Sequence, residues 1–463
     1  MMRLPVLLLF FLTFAACATR PPQPPAIERT AFDLEYPFAE ALQVEQLGSD
    51  REALAAHLAL LDRAIALPTA PHAVEAVLAS LDALVLGKVP GLDLVAESHA
   101  LAFRVPGGSA LVRERLASAW EKANDAGPFV RPAIARAAYR LAMHEGDVVA
   151  AASWRERLGC AREATVVGPL RGAALVGMNE PTPVEKASEL LPAYPGAGPF
   201  AQKVEPSVVQ ADECALPIEG DAWTAGLRAV VVDVEVPRPM RMGVLLRSAS
   251  AASVHVGGKR ALHRGYERGG AQLFALATAD VPAGIVRTVV RLAHKGEAKS
   301  IELAFFDMEG NALRTRAPRP GDRATVEAVH AEPVVFRALR DGAEERALVA
   351  AALLALDDAH PAAHLLEAEG PPSPALDLLY ARALAEGSHL PRERAAERWR
   401  GAYRRVLSAW PTAWEPVIGE ALLEGVRHAD AEAPVSMLKK LAELSPNEAK
   451  PAPLLAFETA VAA

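Results

Sequence analysis

The chain has 463 residues, 51% of them hydrophobic and only 5% aromatic. That length suits about three domains with real cores, and the apolar content excludes wholesale disorder. A net charge of −8 argues against a general nucleic-acid binder, which needs clustered Lys and Arg to hold phosphate.

Arg3 is followed by an apolar run, Leu4 to Phe14, of signal-peptide length and too short to span a bilayer comfortably. It ends Leu12-Thr13-Phe14-Ala15-Ala16-Cys17. Small residues before a cysteine that directly follows an apolar run resemble the lipobox of bacterial lipoproteins. The resemblance implies cleavage after residue 16 and a diacylglycerol on Cys17, with Phe14 atypical for the motif. The competing reading is an ordinary secretory signal that leaves Cys17 unmodified or removed. By the same sorting pattern Ala18, in place of Asp, points to the outer membrane of a Gram-negative cell. Residues 1–17 are thus read as a signal peptide. Residues 18–30, with Arg20-Pro21-Pro22-Gln23-Pro24-Pro25, form an extended tether, because proline fixes φ and removes donors.

Residues 31–159 carry helical periodicity. Leu54, His57, Leu58, Leu61 and Ile65 fall on one stripe. Val74, Val77, Leu78, Leu81 and Leu84 form another, ended by Gly87. Helices over Leu111–Asn124 and Ile134–His144 are separated by Gly127-Pro128, and Asp147–Leu158 stops at Gly159. Short helix pairs with Gly/Pro turns fit a repeat array of tetratricopeptide type. Residues 160–222 are rich in Pro and Gly and read as an irregular strap, with an edge strand at Ala164–Val167.

Residues 223–313 alternate like β-structure. Val230, Val232, Val234 and Val236 interleave with Val231, Asp233 and Glu235, which makes one wholly apolar strand face. Met242, Val244 and Leu246 repeat the pattern. Ser253-Val254-His255-Val256 closes on Gly257-Gly258, a pair suited to a tight hairpin. Further strands follow at Leu273–Leu276, Val290–Leu292 and Ile301–Phe305, with Val281-Pro282-Ala283-Gly284 as a turn. About six or seven short strands predict an antiparallel sandwich or jelly roll. Residues 314–333 read as a linker. Residues 334–463 read as a second helical array, with helices at Ala343–Leu356, Pro374–Glu386, Arg392–Trp410, Trp414–Gly425 and Pro434–Leu444. The expected fold class is therefore multidomain α plus β, with two helical arrays flanking an antiparallel β-sandwich.

Val167-Gly168-Pro169-Leu170, Trp223, Val254–Lys259, Val281–Gly284 and Phe306-Asp307-Met308-Glu309-Gly310 occur in a telling order. The chain resembles a family of bacterial envelope proteins with tetratricopeptide-like repeats around a carbohydrate-binding-like β-sandwich. Longer members of that family continue into a transglutaminase-like domain. The resemblance covers roughly residues 150–313. Leu170 stands where the family has Phe, Gly257 where it has Asn, and Val281 where its turn has Leu. The resemblance implies a sandwich and does not establish sugar binding. No transglutaminase-like region is expected after residue 314.

Chemistry is sparse in the sequence. Cys160 and Cys214 flank the strap; they are read either as a disulfide, in an oxidising compartment, or as two separate buried thiols. No cysteine follows Cys214, which excludes a Cys/His/Asp set beyond it. His144-Glu145 begins like a zincin signature, but Val148 takes the second ligand's place. His360 and His364 are four apart with Pro361 between them, and no third ligand is near. His255, His263 and His294 lie in the β segment without diagnostic spacing. Leu86-Gly87-Lys88-Val89 is no phosphate loop, since Asp82 and Val89 occupy required Gly and Ser/Thr positions. Trp399, Trp410 and Trp414 read as repeat core or as an aromatic platform. No catalytic residue, metal site or cofactor is expected.

Residues 223–314 hold thirteen Lys and Arg against eight Asp and Glu, a balance of +5 within a chain of −8. That excess is either a solvated face or a preference for an anionic partner such as polysaccharide. The expected function is a non-enzymatic, lipid-anchored envelope scaffold that binds a protein or peptide partner. Its alternatives are a carbohydrate-binding module and a non-catalytic companion of a transglutaminase-like enzyme.

Overall fold

A computed structural model of the chain describes residues 37–67, 70–86, 105, 107–170, 178, 182–186, 188–196, 203–218, 226–248, 250–264, 273–294, 299–334, 343–355, 359–367, 373–386, 392–417 and 419. The signal segment, the tether, Gly87, Trp223 and the helix expected at Pro434–Leu444 lie outside the described residues. No described helix is long and apolar enough to cross a membrane.

The N-terminal helices are α1 (Pro37–Leu47), α2 (Asp50–Ile65), α3 (Ala70–Leu86), α4 (Gly108–Lys122), α5 (Val130–Glu145) and α6 (Val148–Glu156). Ser49 starts α2 with a capping box. Its hydroxyl accepts from the Glu52 amide, and the Glu52 carboxylate accepts from the Ser49 amide at 2.8 Å. Leu54, His57 and Leu61 are buried, so the stripe read from spacing faces the core. Trp120 of α4 meets Trp154 of α6 edge-to-face at 5.6 Å.

After α6 the chain enters the segment expected to be irregular. It instead supplies a one-turn helix, α7 (Pro183–Lys186), and five strands: β1 (Glu163–Leu170), β2 (Tyr194–Pro195), β3 (Lys203–Val204), β4 (Ser207–Gln210) and β5 (Ala215–Ile218). The remaining strands are β6 (Gly226–Val236), β7 (Met240–Ser248), β8 (Ala252–Val256), β9 (Lys259–Arg264), β10 (Leu273–Val281), β11 (Gly284–His294), β12 (Lys299–Phe306), β13 (Arg314–Arg316) and β14 (His330–Pro333). One sheet has the order β4-β1-β6-β11-β8-β9, with β13 also on β6; the other has the order β14-β10-β7-β12-β5. Every ladder in both sheets is antiparallel. The chain is a mixed α and β protein.

Three expectations need correction here. The strand at 164–167 is internal, because β4 flanks it on the outer side. Residues 314–333 are no free linker, since β13 pairs with β6 and β14 with β10. Val334 begins no helix; its amide donates to the Leu276 carbonyl at 2.9 Å. β1 is buried along most of its length, while β13 and β14 are only three and four residues long. Doubly covered or very short strands lose the alternation that marks a half-buried strand.

The two sheets enclose one apolar cluster. Val230, Val232, Val234 and Val236 of β6 meet Val244 and Leu246 of β7 and Leu303 and Phe305 of β12. The turn between β8 and β9 needs both its glycines, with φ of 52° at Gly257 and 77° at Gly258. A Cβ on Gly257 would stand 2.4 Å from the Ala328 amide nitrogen.

The C-terminal helices are α8 (Ala343–Ala355), α9 (Ala359–Leu366), α10 (Pro374–Glu386) and α11 (Arg392–Ala409). The sequence reading did not anticipate α9. Pro361 sits in its first turn, where the missing N–H leaves no helical bond unmade. These helices do not form a separate array. Phe38, Leu42, Val74 and Leu81 share one apolar cluster with Leu348, Leu378, Tyr403 and Trp410, so the two helical segments, far apart in sequence, form one layer. That layer rests on the outer face of the five-stranded sheet. Phe129 packs with Leu245, Leu276 and Phe306, and Arg136 bridges to Glu302 at 2.7 Å.

Candidate functional site

Strand alternation sends Ser253 and His255 of β8, Arg287 and Arg291 of β11, and Asp233 of β6 to the side away from the shared apolar cluster. A polar row of this kind would normally face water. Here Met178 and residues 182–186 and 188–196 lie over it as a strap. Met178, Val184, Leu190 and Tyr194 of the strap pack on Val231 and Val289 of the sheet, and the polar groups are sealed beneath.

Two arginines on one strand tie the strap down. Arg287 holds Asp233 through two bonds, of 2.8 and 3.1 Å, and also donates to the Ser188 and Asp322 carbonyls. Arg291 meets the Glu185 carboxylate at 2.7 Å. It donates as well to the Ser253 hydroxyl at 3.1 Å and lies 3.2 Å from His255 Nε2. The Thr182 hydroxyl donates to Glu185 at 2.9 Å. Ser253 Oγ lies 3.2 Å from His255 Nε2, and His255 Nδ1 lies 3.9 Å from Glu185.

Ser253, His255 and Glu185 are the residue types of an acyl-transfer triad. Their surroundings give them another task. Ser253 is fully buried, and Arg291 points its donors at both the hydroxyl oxygen and the imidazole nitrogen that would serve as base. Burial, then Arg291, Arg260 and His263, hold the His255 imidazole down at about 4. The cluster is a closed clasp between strap and sheet.

A second buried network joins the helical segments. Arg382 of α10 reaches Glu45 of α1 at 2.7 Å and Glu415 at 2.6 Å. His57 lies 3.2 Å from Glu45. Gln46 donates to the Glu415 carboxylate and accepts from its amide. The Trp414 indole donates to the Glu45 carbonyl at 3.0 Å. Burial opposes ionisation of Glu45, but Arg382 and His57 outweigh it and hold the carboxyl at about 2. Burial pushes Glu415 up against the pull of Arg382.

The other residues singled out from sequence are dispersed. Cys17 lies outside the described residues. Cys160 and Cys214 are joined by a disulfide, with Cα atoms 5.4 Å apart. It pins the approach to β1 to the start of β5. The His360 and His364 rings lie 5.2 Å apart on α9. No group of three or more His, Cys, Asp or Glu among the described residues could hold a metal ion. His263 is exposed on β9, opposite Ser253, and the His294 side chain lies outside the description. Trp410 and Trp414 are buried and Trp399 partly so, which places them in the core rather than on a platform. His144 and Val148 are exposed at the turn between α5 and α6.

Sequence reasoning missed Glu185, Arg287, Arg291, Glu45, Arg382 and Glu415. One signal was available: Asp233 interrupts a valine run, and an acid inside a buried strand demands a cation across the ladder. Arg287 is its direct cross-strand neighbour.

One exposed feature stands apart from these closed networks. Leu111 is 52% exposed, Met143 49%, Val148 75% and Val149 83%. They lie at the start of α4, the end of α5 and the start of α6, which converge, as the 2.8 Å Arg113–Glu145 pair shows. The chain matches no protein-family model and no curated protein.

Proposed function

We propose that this chain is a non-enzymatic, lipid-anchored scaffold of the bacterial envelope, which holds a protein partner on its helical layer. The carrying observation is the convergence of Leu111, Met143, Val148 and Val149, exposed at one end of α4, α5 and α6. Large apolar side chains gathered at one surface mark an interaction site. The helix pairs are read as tetratricopeptide-like units, and the two facing sheets as a β-sandwich that carries them. The disulfide fits an oxidising compartment, in keeping with the N-terminal signal. The residues that could suggest catalysis are committed to internal clasps.

The test is a photo-crosslinking residue at Val149 in cells, with and without Val148→Asp and Leu111→Asp. All three positions are exposed, so the fold should survive. One discrete adduct in wild type, lost in the double variant, is the expected result. Equal adduct formation in both would overturn the assignment.

A further inference from the structure

Beyond the helical surface, we propose that the free edge of β4 pairs antiparallel with β4 of a second copy, joining two chains through one continuous sheet. The register shows which backbone groups face that edge. β4 ends its sheet and pairs only with β1. The Ala211 amide donates to the Arg162 carbonyl at 2.8 Å, and the same ladder sets Val209 opposite Ala164 and Ser207 opposite Val166. Hydrogen-bonded and non-hydrogen-bonded pairs alternate along an antiparallel ladder. Ala211, Val209 and Ser207 therefore turn their backbone groups toward β1, while Val208 and Gln210 turn theirs outward. Among the described residues no backbone group bonds Val208 or Gln210 on that outer side. Ser207, Val208 and Gln210 are exposed, Val208 at 48%.

This edge lacks the defences that keep sheets apart. Edge strands are ordinarily blunted by charge, proline or cover. The other strands that end a sheet here follow that rule. β9 carries Lys259, Arg260 and Arg264, β5 carries Pro217, and β14 ends in Pro333. β4 is Ser-Val-Val-Gln, with neither charge nor proline.

The strand is also complementary to itself. A two-fold axis through Val209, normal to the sheet, sets Val208 opposite Gln210 of the second copy and Gln210 opposite Val208 of the second copy. These are the residues with outward N–H and C=O groups, so each pair exchanges both of its bonds. The Val209 side chains of the two copies meet on the side of the shared apolar cluster, against which Val209 already packs. The pairing has defined ends. Pro206 offers no N–H, and Glu205 would stand opposite Glu213 of the second copy. Centring the axis on Val208 instead would set Gln210 against Pro206 and forfeit a bond. An isologous contact needs the same patch on both molecules. β4 supplies it, and presents no charge with which to select a different strand.

The experiment is sedimentation velocity of the detergent-solubilised full chain at rising concentration, with Val208→Pro and Val208→Lys as edge-blocking variants. The Val208 N–H points away from β1, so proline leaves β4 on β1. Lysine changes only an exposed side chain, and sets like charges on diagonal neighbours. Wild type should pass from monomer to dimer, and each variant should associate roughly tenfold or more weakly. Mild oxidation of membranes carrying Val209→Cys or Val208→Cys reads the register. Val209 and its mate stand about 4.5 Å apart between Cα atoms, within disulfide reach, whereas the two Val208 positions are diagonal, at about 7–8 Å. A dimer band from Val209→Cys that exceeds the one from Val208→Cys is expected. The Val148→Asp/Leu111→Asp variant should dimerise as wild type does, which separates this edge from the helical surface. A wild type that stays monomeric at every concentration, dimers retained by both Val208 variants, preferential crosslinking through Val208→Cys, or a Val209→Cys adduct to a different protein alone would each overturn the proposal.

Discussion

Arg291 answers to three partners at once: Glu185, Ser253 and His255. Replacing it with Met would take the arginine cation from the buried Glu185 carboxylate, at a cost of about 3 kcal/mol. Urea unfolding should show the loss, and limited proteolysis should cut the strap first. The double variant Arg291→Met/Glu185→Leu should recover part of it. A single variant as stable as wild type would mean that the clasp carries no energy. Burial also sets the pH response. His255 and His72 titrate at about 4 and about 3 in the folded chain, against 6.5 for an unperturbed imidazole. Between those values the unfolded chain binds more protons, so stability rises with pH there. It is complete above 6.5 and is lost as pH falls toward 4 and then 3. Glu45, at about 2 against 4.5, adds stability present above 4.5 and lost as pH falls toward 2. Urea midpoints at about pH 7, 5.5 and 4.5 should therefore fall in that order. A flat profile would contradict the burial of these groups.

Among the elements, β6 is the most constrained. Its valines face the shared apolar cluster on one side, and Val231 and Asp233 face the strap on the other. Val232→Asp would place an unpaired charge in the apolar cluster and should abolish folding of the sheets, read as lost protease resistance. The disulfide spans 54 residues. Removing it with Cys160→Ser/Cys214→Ser should lower stability by about 4 kcal/mol on the loop-entropy account, seen as an earlier denaturant midpoint. The sequence made some of these elements readable. The β8–β9 hairpin was legible because Gly257-Gly258 follows an alternating run, and α10 because Pro374 opens a clean helical period. The strap strands, β13 and β14 were not legible, since each is brief or covered twice. The clasp residues were hidden for a different reason. Glu185 and Arg291 are 106 positions apart, and only the assembled sheet brings them together.

At the scale of the whole molecule, the proposed lipid anchor gives a direct test. Cys17→Ser should move the protein from the membrane fraction to the soluble envelope fraction, and firm retention of the variant would remove the anchor from the proposal. The union of the helical segments could not be read from sequence. Helical periodicity shows which face of a helix is apolar, and not which distant helix will cover it. Glu45 and Glu415 meet through Gln46, Trp414 and Arg382 across contacts separated by up to 369 residues. That separation bears on how the protein is born. A chain emerging from its N-terminus presents α1 and α2 long before Arg382 and Glu415 exist. During that interval Glu45 has no cation from α10, and the surface that α8 will cover stays open. The first helices to be made are thus among the last to be finished, and until then the nascent molecule depends on whatever escorts it.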